Sequence, residues 1–375
     1  MSDTLKDKDN MAVLAAGYRG KRVLITGHTG FKGSWLSLWL TELGAEVIGV
    51  ALPPATNPSH FELLGKSLSK IKSIYTNICD QGRLEQIIRE YRPEIIFHLA
   101  AQAIVRYSYQ NPRETWNTNV TGTMNLLEAV KTVEENTPGH IRAVIVVTSD
   151  KCYDNKEWVW GYRESDPLGG KDPYSSSKAA AELLVASYRH SFFKDSDCLV
   201  ATVRAGNVIG GGDWAQDRLI PDLVRGASTG EGTLIRNPTY TRPWQHVLGP
   251  LCGYLLLGIR LLNQERSFAD AWNFGPEVQD EVSTMDVAKL AKEYWSKCRC
   301  STGIDIGNNV VNSGQLHEAR SLKLDSSKAS ALLGWRGKWD YKEAVQRTIK
   351  WYQDYYQYEK INSLQDIQEY SDTIS

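Results

Sequence analysis

The stretch Val23–Gly33, reading VLITGHTGFKG, constrains the fold of this chain more than any other. Val23, Leu24 and Ile25 make the short apolar run of a parallel strand covered on both faces. Glycines follow at 27, 30 and 33. The first lets the backbone turn sharply, the second removes the Cβ that would hold a phosphate away, and the third lets the next helix pack on the strand. Free N–H groups at the start of that helix then face an anion. The spacing is GxxGxxG, a relative of the GxGxxG fingerprint, and taken alone it also fits a glycine-rich structural turn. Its context, directly between an apolar strand and the amphipathic segment 34–43, is the one a dinucleotide's pyrophosphate requires. Gly27, Thr29, Gly30, Phe31, Lys32 and Gly33 are therefore the expected cradle.

A helix ending at Gly44 and a strand over 46–51 complete a βαβ unit. An acid about 20 residues past the glycines would hold an adenosine ribose, but this strand ends Val50-Ala51-Leu52-Pro53. No arginine stands beside that gap, and only Lys32 could reach a 2′-phosphate, which favours NAD over NADP. Further strands are expected over 71–78, 94–99, 142–148 and 198–205, alternating with helices over 80–90, 112–133 and from 174 onward. Asp80 reads as a structural N-cap. The alternation indicates an α/β fold, a doubly wound parallel Rossmann sheet, over residues 20–205. The glycine-rich run 206–212 breaks the pattern. A smaller, mostly helical lobe is expected over 206–357, with helical patterns near 217–228, 246–263, 284–297, 326–333 and 340–357 and some segments returning to the first domain. The ends read as a mobile tail over 1–19 and a frayed polar tail over 358–375.

Chemistry concentrates in two strings. Thr148-Ser149-Asp150-Lys151 lies at the carboxyl end of a strand, where open parallel sheets place their ligands. A turn of small polar residues with a solvated ion pair is the bland alternative. Tyr174-Ser175-Ser176-Ser177-Lys178 puts a phenol and an amine at i and i+4, on one helical face. A lysine beside a tyrosine stabilises the phenolate, which turns an inert phenol into a base. YxxxK is common by chance, and its place one strand and one loop after the Ser-Asp-Lys string gives it weight. His98-Leu99-Ala100-Ala101-Gln102 ends another strand in small residues that would admit a flat cofactor. Arg236, Arg242 and Trp244 are candidates for gripping a phosphorylated ligand and stacking on a base, with plain surface arginines as the alternative.

A formal net charge of -1 gives no electrostatic reason to expect nucleic acid or an anionic membrane as partner. The 6 cysteines include no CxxC pair, and Cys298 with Cys300 is too little for a metal site, so no metal is expected. Residues 1–17 read as neither signal peptide nor anchor, and the apolar run Leu251–Leu262 falls far short of the ~20 residues that span a bilayer. A cytoplasmic location is expected.

GHTGFKG (27–33), HLAAQ (98–102), TSDKCY (148–153), YSSSK (174–178) and RAGNVIGGGDW (204–214) together resemble the extended short-chain dehydrogenase/reductase family. Within it they are similar to the nucleotide-sugar 4,6-dehydratases, nearest the members that act on CDP-glucose. TRPWQHV (241–247) and LDSSKA (324–329) extend a resemblance that spans roughly Gly20 to Tyr356. It implies a tightly held NAD that is reduced and reoxidised in each turnover. Tyr174 would take the 4-hydroxyl proton as the C4 hydride leaves, a base would remove the C5 proton, the 6-hydroxyl would depart as water, and the hydride would return to C6. The product would be a CDP-4-keto-6-deoxy sugar for surface polysaccharide such as lipopolysaccharide O-antigen.

Many members of the family carry Asp-Glu where this chain has Asp150-Lys151, so the resemblance leaves the C5 base open. Lys151 serves only when neutral, with Asp150 then the acid for water loss. The resemblance also makes Ser149 and Lys178 catalytic and places Lys178 on the nicotinamide ribose. It sets Asn77 and Ile78 beside adenine, Leu99, Ala100 and Ala101 against the cofactor, and Asn119 on the helix near it. Gln102, Ser149, Asn207, Arg218 and Arg242 fall to the substrate. A homodimer or homotetramer is implied through the helices near 112–133 and 174–194, although Leu126, Leu127, Leu183, Leu184 and Val185 could equally pack on their own sheet. Two rivals remain: a nucleotide-sugar 4-epimerase, which needs no acid–base pair at 150–151, and a non-catalytic NAD-sensing protein, which needs no YxxxK face.

Overall fold

The computed structural model describes residues 10–276, 281–296, 303–306, 310–311 and 318–374. Helix α1 (Asn10–Tyr18) leads into β1 (Arg22–Thr26), α2 (Phe31–Glu42), β2 (Glu46–Ala51) and β3 (Lys72–Tyr75). Then come α3 (Gln81–Tyr91), β4 (Ile95–His98), α4 (Gly122–Asn136), β5 (Ala143–Val147), α5 (Pro173–Ser191) and β6 (Leu199–Ala205), and much later β7 (Ala271–Phe274). These strands form one 7-stranded sheet in the order β7-β6-β5-β4-β1-β2-β3, and every pairing in it is parallel. The order reverses between β1 and β4, so the loops after these two strands diverge and open a crevice at the carboxyl edge.

Alternation along each strand feeds two cores. Val23, Ile25, Ile95, Phe97, Ile145 and Val203 face one side, while Leu24, Ile96, Val144, Val146 and Val200 face the other. The first side is covered by α1, α2 and α7 (Leu248–Leu262), the second by α3, α4 and α5. Both faces are thus dry, as the continuous apolar strands require. Asp80 caps α3 by accepting from Arg83 N at 2.9 Å.

The second lobe is built from α6 (Leu219–Thr229), α8 (Thr284–Ser296) and α9 (Tyr341–Tyr358), which close a core around Trp214, Trp244, Trp295 and Trp351. Helix α7, nominally in the same stretch of chain, instead lies on the main sheet, and β7 returns to the edge of that sheet.

Three expectations need correction. The helix expected over 112–133 is broken: a short helix Pro112–Trp116 passes through a π-helical turn, Asn117–Thr121, before α4 begins. The N-terminal tail is ordered from Asn10, because Leu14 and Tyr18, four apart, bury one face and Tyr18 donates to Leu255 O at 2.9 Å; the part of that expectation on residues 1–9 lies outside the described residues. The polar C-terminal tail carries α10 (Ser363–Asp372), whose Ile367 and Tyr370 insert into the core beside Trp39 and Trp339.

Candidate active site

A cavity of about 720 Å³ opens at the carboxyl edge of the sheet and continues into the second lobe. Its dinucleotide end is the glycine turn. Gly27 has φ +76, and a Cβ on Gly33 would stand 2.0 Å from Gly27 O, so helix and turn close up only with glycine at both positions. A Cβ on Gly30 would meet nothing nearer than Gly27 O at 3.4 Å, and the room beyond it is the cavity. This cradle fits a pyrophosphate. Thr29 Oγ1 donates to Leu52 O at 2.9 Å and fastens the turn to the end of β2. His28 points away, its Nε2 sharing a 2.6 Å hydrogen bond with Ser73 Oγ on β3, and burial pushes its pKa down to about 4, so it stays neutral.

Lys32 does not reach the adenosine edge. Its ammonium lies 6.0 Å from the ring centroid of Tyr254 on α7 and feels Arg218, Asp150, Lys178 and Lys151. Burial, with the neighbouring cations, pushes it down to about 7. The sequence reading that offered Lys32 to a 2′-phosphate is overturned, because the side chain follows the inner wall of the cavity. Around Leu52, Pro53, Ala55, Thr76, Asn77 and Ile78 the described lining holds no cation. Asn77 Oδ1 accepts from Cys79 N at 2.9 Å, and Ile78 is buried against Gly122.

The catalytic face is set by two element ends. Asp172 caps α5 by accepting from Ser175 N at 2.9 Å, and Pro173 starts the helix with φ already fixed. One turn later Tyr174 and Lys178 point together into the cavity, 7% and 5% exposed. Lys178 donates to Val147 O at 3.3 Å, and burial pushes it down to about 8 against the pull of Glu182. Burial pushes Tyr174 up to about 12, against the neighbouring Ser149 hydroxyl and Arg218 guanidinium.

Ser149 caps the single turn Asp150–Cys152 by accepting from Lys151 N at 3.2 Å, and its hydroxyl donates to Asp150 Oδ1 at 2.9 Å. Lys151 Nζ donates to the same Oδ1 at 3.2 Å and to Asn207 Oδ1 at 3.3 Å. Asp150 Oδ2 is buried with no hydrogen-bond partner among the described residues. A Cβ on Gly206 would come 3.2 Å from that oxygen, so the glycine there keeps its approach open.

In the second lobe each arginine on the cavity wall is held by a carboxylate. Arg218 pairs with Asp213 at 2.8 Å, Arg236 with Asp217 at 2.9 Å and Arg242 with Glu318 at 3.1 Å. Asp217 also lies 3.7 Å from Arg106, across the cleft on the short helix Val105–Gln110. Such guanidiniums suit an oxyanion ligand that is more highly charged than their resting partners.

Two site residues are displaced from the sequence reading. Gln102 does not line the cavity: its side chain bonds the backbone of Ile104 in both directions, at 3.0 and 2.7 Å. Asn119 lies behind the wall, bonding both backbone groups of Gln102 at 2.9 and 3.0 Å and Ser177 Oγ at 2.8 Å. It fixes the loop after β4 against α5. Trp244 reaches the cavity edge with its indole buried, donating to Val282 O at 3.2 Å, which is a core role.

Sequence reasoning missed Tyr254, Arg106 and Glu182. Glu182 accepts from Thr148 Oγ1, from Thr202 Oγ1 at 2.7 Å and from Arg204 Nη2 at 2.8 Å. Burial alone would raise it, but Arg204 and the two hydroxyls outweigh that and hold it below the usual range. Its signal was available, since Tyr174, Lys178 and Glu182 recur every fourth residue on one face. Among the described residues no group of three or more His, Cys, Asp or Glu could hold a metal; Cys298 and Cys300 lie outside them. No described helix is long and apolar enough to cross a membrane.

A doubly wound sheet with this glycine turn, a Ser149-Tyr174-Lys178 face and an arginine-lined second lobe defines a short-chain dehydrogenase/reductase of the extended, nucleotide-sugar type. The chain belongs to the GDP-mannose 4,6 dehydratase family, whose model matches residues 24–348. It is 49% identical over 340 residues to the CDP-glucose 4,6-dehydratase of Salmonella typhimurium, covering 89% of this chain and 91% of that one. It is 25% identical over 354 residues to the CDP-paratose 2-epimerase of Salmonella typhi, covering 88% and 98%. Among solved structures, the dTDP-glucose 4,6-dehydratase DesIV of Streptomyces venezuelae, with NAD and TYD bound, superposes with a TM-score of 0.74 at 23% identity, covering 89% of this chain and 97% of that one.

Proposed function

We propose that this chain is a hydro-lyase that converts CDP-D-glucose to CDP-4-keto-6-deoxy-D-glucose with NAD, in deoxysugar biosynthesis for surface polysaccharide. The observation that carries the reading is the second acid–base pair. Asp150, with one buried oxygen left unpartnered, and Lys151 stand in the same cavity as Tyr174. An epimerase, which only oxidises and re-reduces C4, has no use for such a pair. The cytidine assignment follows the 49% identity to the Salmonella enzyme.

The Gly27-Gly30-Gly33 cradle would hold NAD, which when bound would supply the hydride acceptor and donor for the reaction. The rest falls to the chain. Tyr174 receives the 4-hydroxyl proton, and Lys178 holds the nicotinamide ribose. The ketone at C4 acidifies C5, Lys151 in its neutral form takes that proton, and Asp150 protonates the departing 6-hydroxyl. Asn207, Arg218 and Arg242 receive the diphosphate as their resting partners let go.

Incubating the chain and NAD with CDP-, UDP-, GDP- and dTDP-glucose tests this directly. The alkaline chromophore of a 4-ketone is expected from CDP-glucose first. A 4-epimer with no ketone would overturn the reading.

The same proposal includes a soluble, cytoplasmic homodimer or homotetramer. Leu126, Leu127 and Val185 are buried on their own sheet, so the helix face left for a second copy is Met124, Leu183 and Phe192, of which Leu183 is 61% exposed. Light scattering that shows only monomer at assay concentration would refute it.

A further inference from the structure

We propose that Ser149 and Asp150 form a proton relay that carries the O4 proton from Tyr174 to the departing 6-hydroxyl within one turnover. The proposal rests on the dehydration reading above. Its starting point is a conservation argument. The substrate loses a proton from O4 and a hydride from C4, gains the hydride at C6, and loses the 6-hydroxyl as water. The C5 proton leaves and returns. Each turnover therefore takes one proton from O4 and adds one to O6, at different carbons and through different side chains.

The structure places a single hydroxyl, that of Ser149, in the cavity with both of those side chains. Tyr174 and Ser149 face the same cavity, and the serine hydroxyl is close enough to bear on the phenol. Ser149 Oγ already accepts from Lys151 N at 3.2 Å and donates its own proton to Asp150 Oδ1 at 2.9 Å. With that proton directed at the carboxylate, the serine oxygen is left to accept from the phenol, so the chain of donors runs from tyrosine through serine to aspartate. Asp150 Oδ2, buried and unpartnered among the described residues beside Gly206, is the oxygen left for O6.

The cycle closes without solvent. It begins with Tyr174 and Lys151 neutral and Asp150 ionised. As hydride leaves C4, the O4 proton passes to Tyr174, the phenol proton to Ser149 and the serine proton to Asp150. Lys151 then takes the C5 proton, the C6–O bond breaks, and Asp150 gives its proton to that oxygen to make water. Hydride arrives at C6, Lys151 returns its proton to C5, and all three groups stand as they began. A tyrosine pushed up to about 12 by burial holds its proton firmly, which suits a group that releases one proton only as it receives another.

The relay makes Asp150 a participant in the first oxidation, where a plain general acid for water loss would be idle. CDP-6-deoxy-D-glucose, which has the 4-hydroxyl and no leaving group at C6, isolates that step. Asp150→Asn is expected to slow NADH formation from this analogue by about 10²-fold. Ser149→Ala is expected to do the same and Ser149→Thr to restore the rate. Without a relay the sign reverses, because Asp150 raises the tyrosine and removing its charge would leave the phenol a readier base.

Asp150→Asn protein that binds NAD normally and oxidises the analogue at the wild-type rate or faster overturns the proposal. Should that variant fail to fold, wild-type enzyme in mixtures of H2O and D2O decides: a curved dependence of the oxidation rate on deuterium fraction reports several protons in flight, and a straight line overturns the relay. A wild-type enzyme that forms no ketone from CDP-glucose refutes the function itself, which is a separate result.

Discussion

Replacing Lys151 by methionine keeps a side chain of similar reach and deletes the amine that donates to Asp150 at 3.2 Å and to Asn207 at 3.3 Å. The fold should survive. Lys151 is a quarter exposed, and Asp150 keeps its bond from Ser149, so the loss is that of a typical charged hydrogen bond, about 1.5–3 kcal/mol. Chemistry should suffer selectively. A positioned base contributes about 10²–10⁴-fold, which at about 1.36 kcal/mol per decade is roughly 3–5 kcal/mol on the step that removes the C5 proton. Oxidation at C4 uses Tyr174, Ser149 and Asp150, none of which is altered. Mixing Lys151→Met enzyme with CDP-glucose is therefore expected to accumulate NADH and a 4-ketone that still carries its 6-hydroxyl. Run in D2O, the recovered sugar should hold no deuterium at C5. Exchange of that hydrogen at the wild-type rate would remove lysine from the base role and leave Asp150 or a bound water to do the work.

Tyr174→Phe is expected to lower turnover at least about 10²-fold while leaving NAD affinity within about twofold, since the ring still packs and only the oxygen is lost; a near-normal rate would refute the assignment. Gly33→Ala should abolish NAD binding measured by fluorescence quenching, because the added Cβ would stand 2.0 Å from Gly27 O; unchanged affinity would show that the turn can shift without loss. Glu182→Gln should destabilise the fold by about 3–5 kcal/mol in denaturant titrations, because Arg204 is left buried without its counter-charge. The folded pKa of Glu182 is depressed, so its contribution is full above the unfolded value near ~4.3 and is lost as pH falls through the lower folded value; the gap between wild type and variant should shrink below about pH 4. A gap that grows in acid would contradict the sign.

The Rossmann half was legible because its signals are local and periodic. Val23–Ile25 and Ala143–Val147 read as buried strands from their apolar runs alone, and the glycines at 27 and 33 each stand where contact with a neighbouring atom forbids a side chain, while Gly30 opens onto the cavity. The Ser149-Asp150-Lys151 and Tyr174-Lys178 groups meet in one cavity, a convergence that is legible because a strand end and a helix face fix direction as well as identity. Direction is what failed elsewhere. Lys32 was assigned from its place in the turn, but whether a long side chain points out toward a ribose or in toward Tyr254 is decided by α7, more than 200 residues later. Gln102 was assigned from its string, yet its amide closes its own loop, a local bond that the string cannot announce. The C-terminal helix was read as frayed because its composition is polar; only Ile367 and Tyr370 face the core, too few to register as an apolar stripe.

That C-terminal helix begins with Ser363, whose hydroxyl meets His60 Nε2 at 2.7 Å and receives Trp351 Nε1 at 2.9 Å, while His60 Nδ1 meets Ser34 of α2 at 2.8 Å. Ser363 and His60 therefore knot the helix under the cofactor cradle to a helix of the second lobe. Burial pushes His60 down to about 3, so it stays neutral near neutral pH and the knot is uncharged there. Ser363 is synthesised after every element it fastens, so a nascent chain can hold both lobes and still lack this pin.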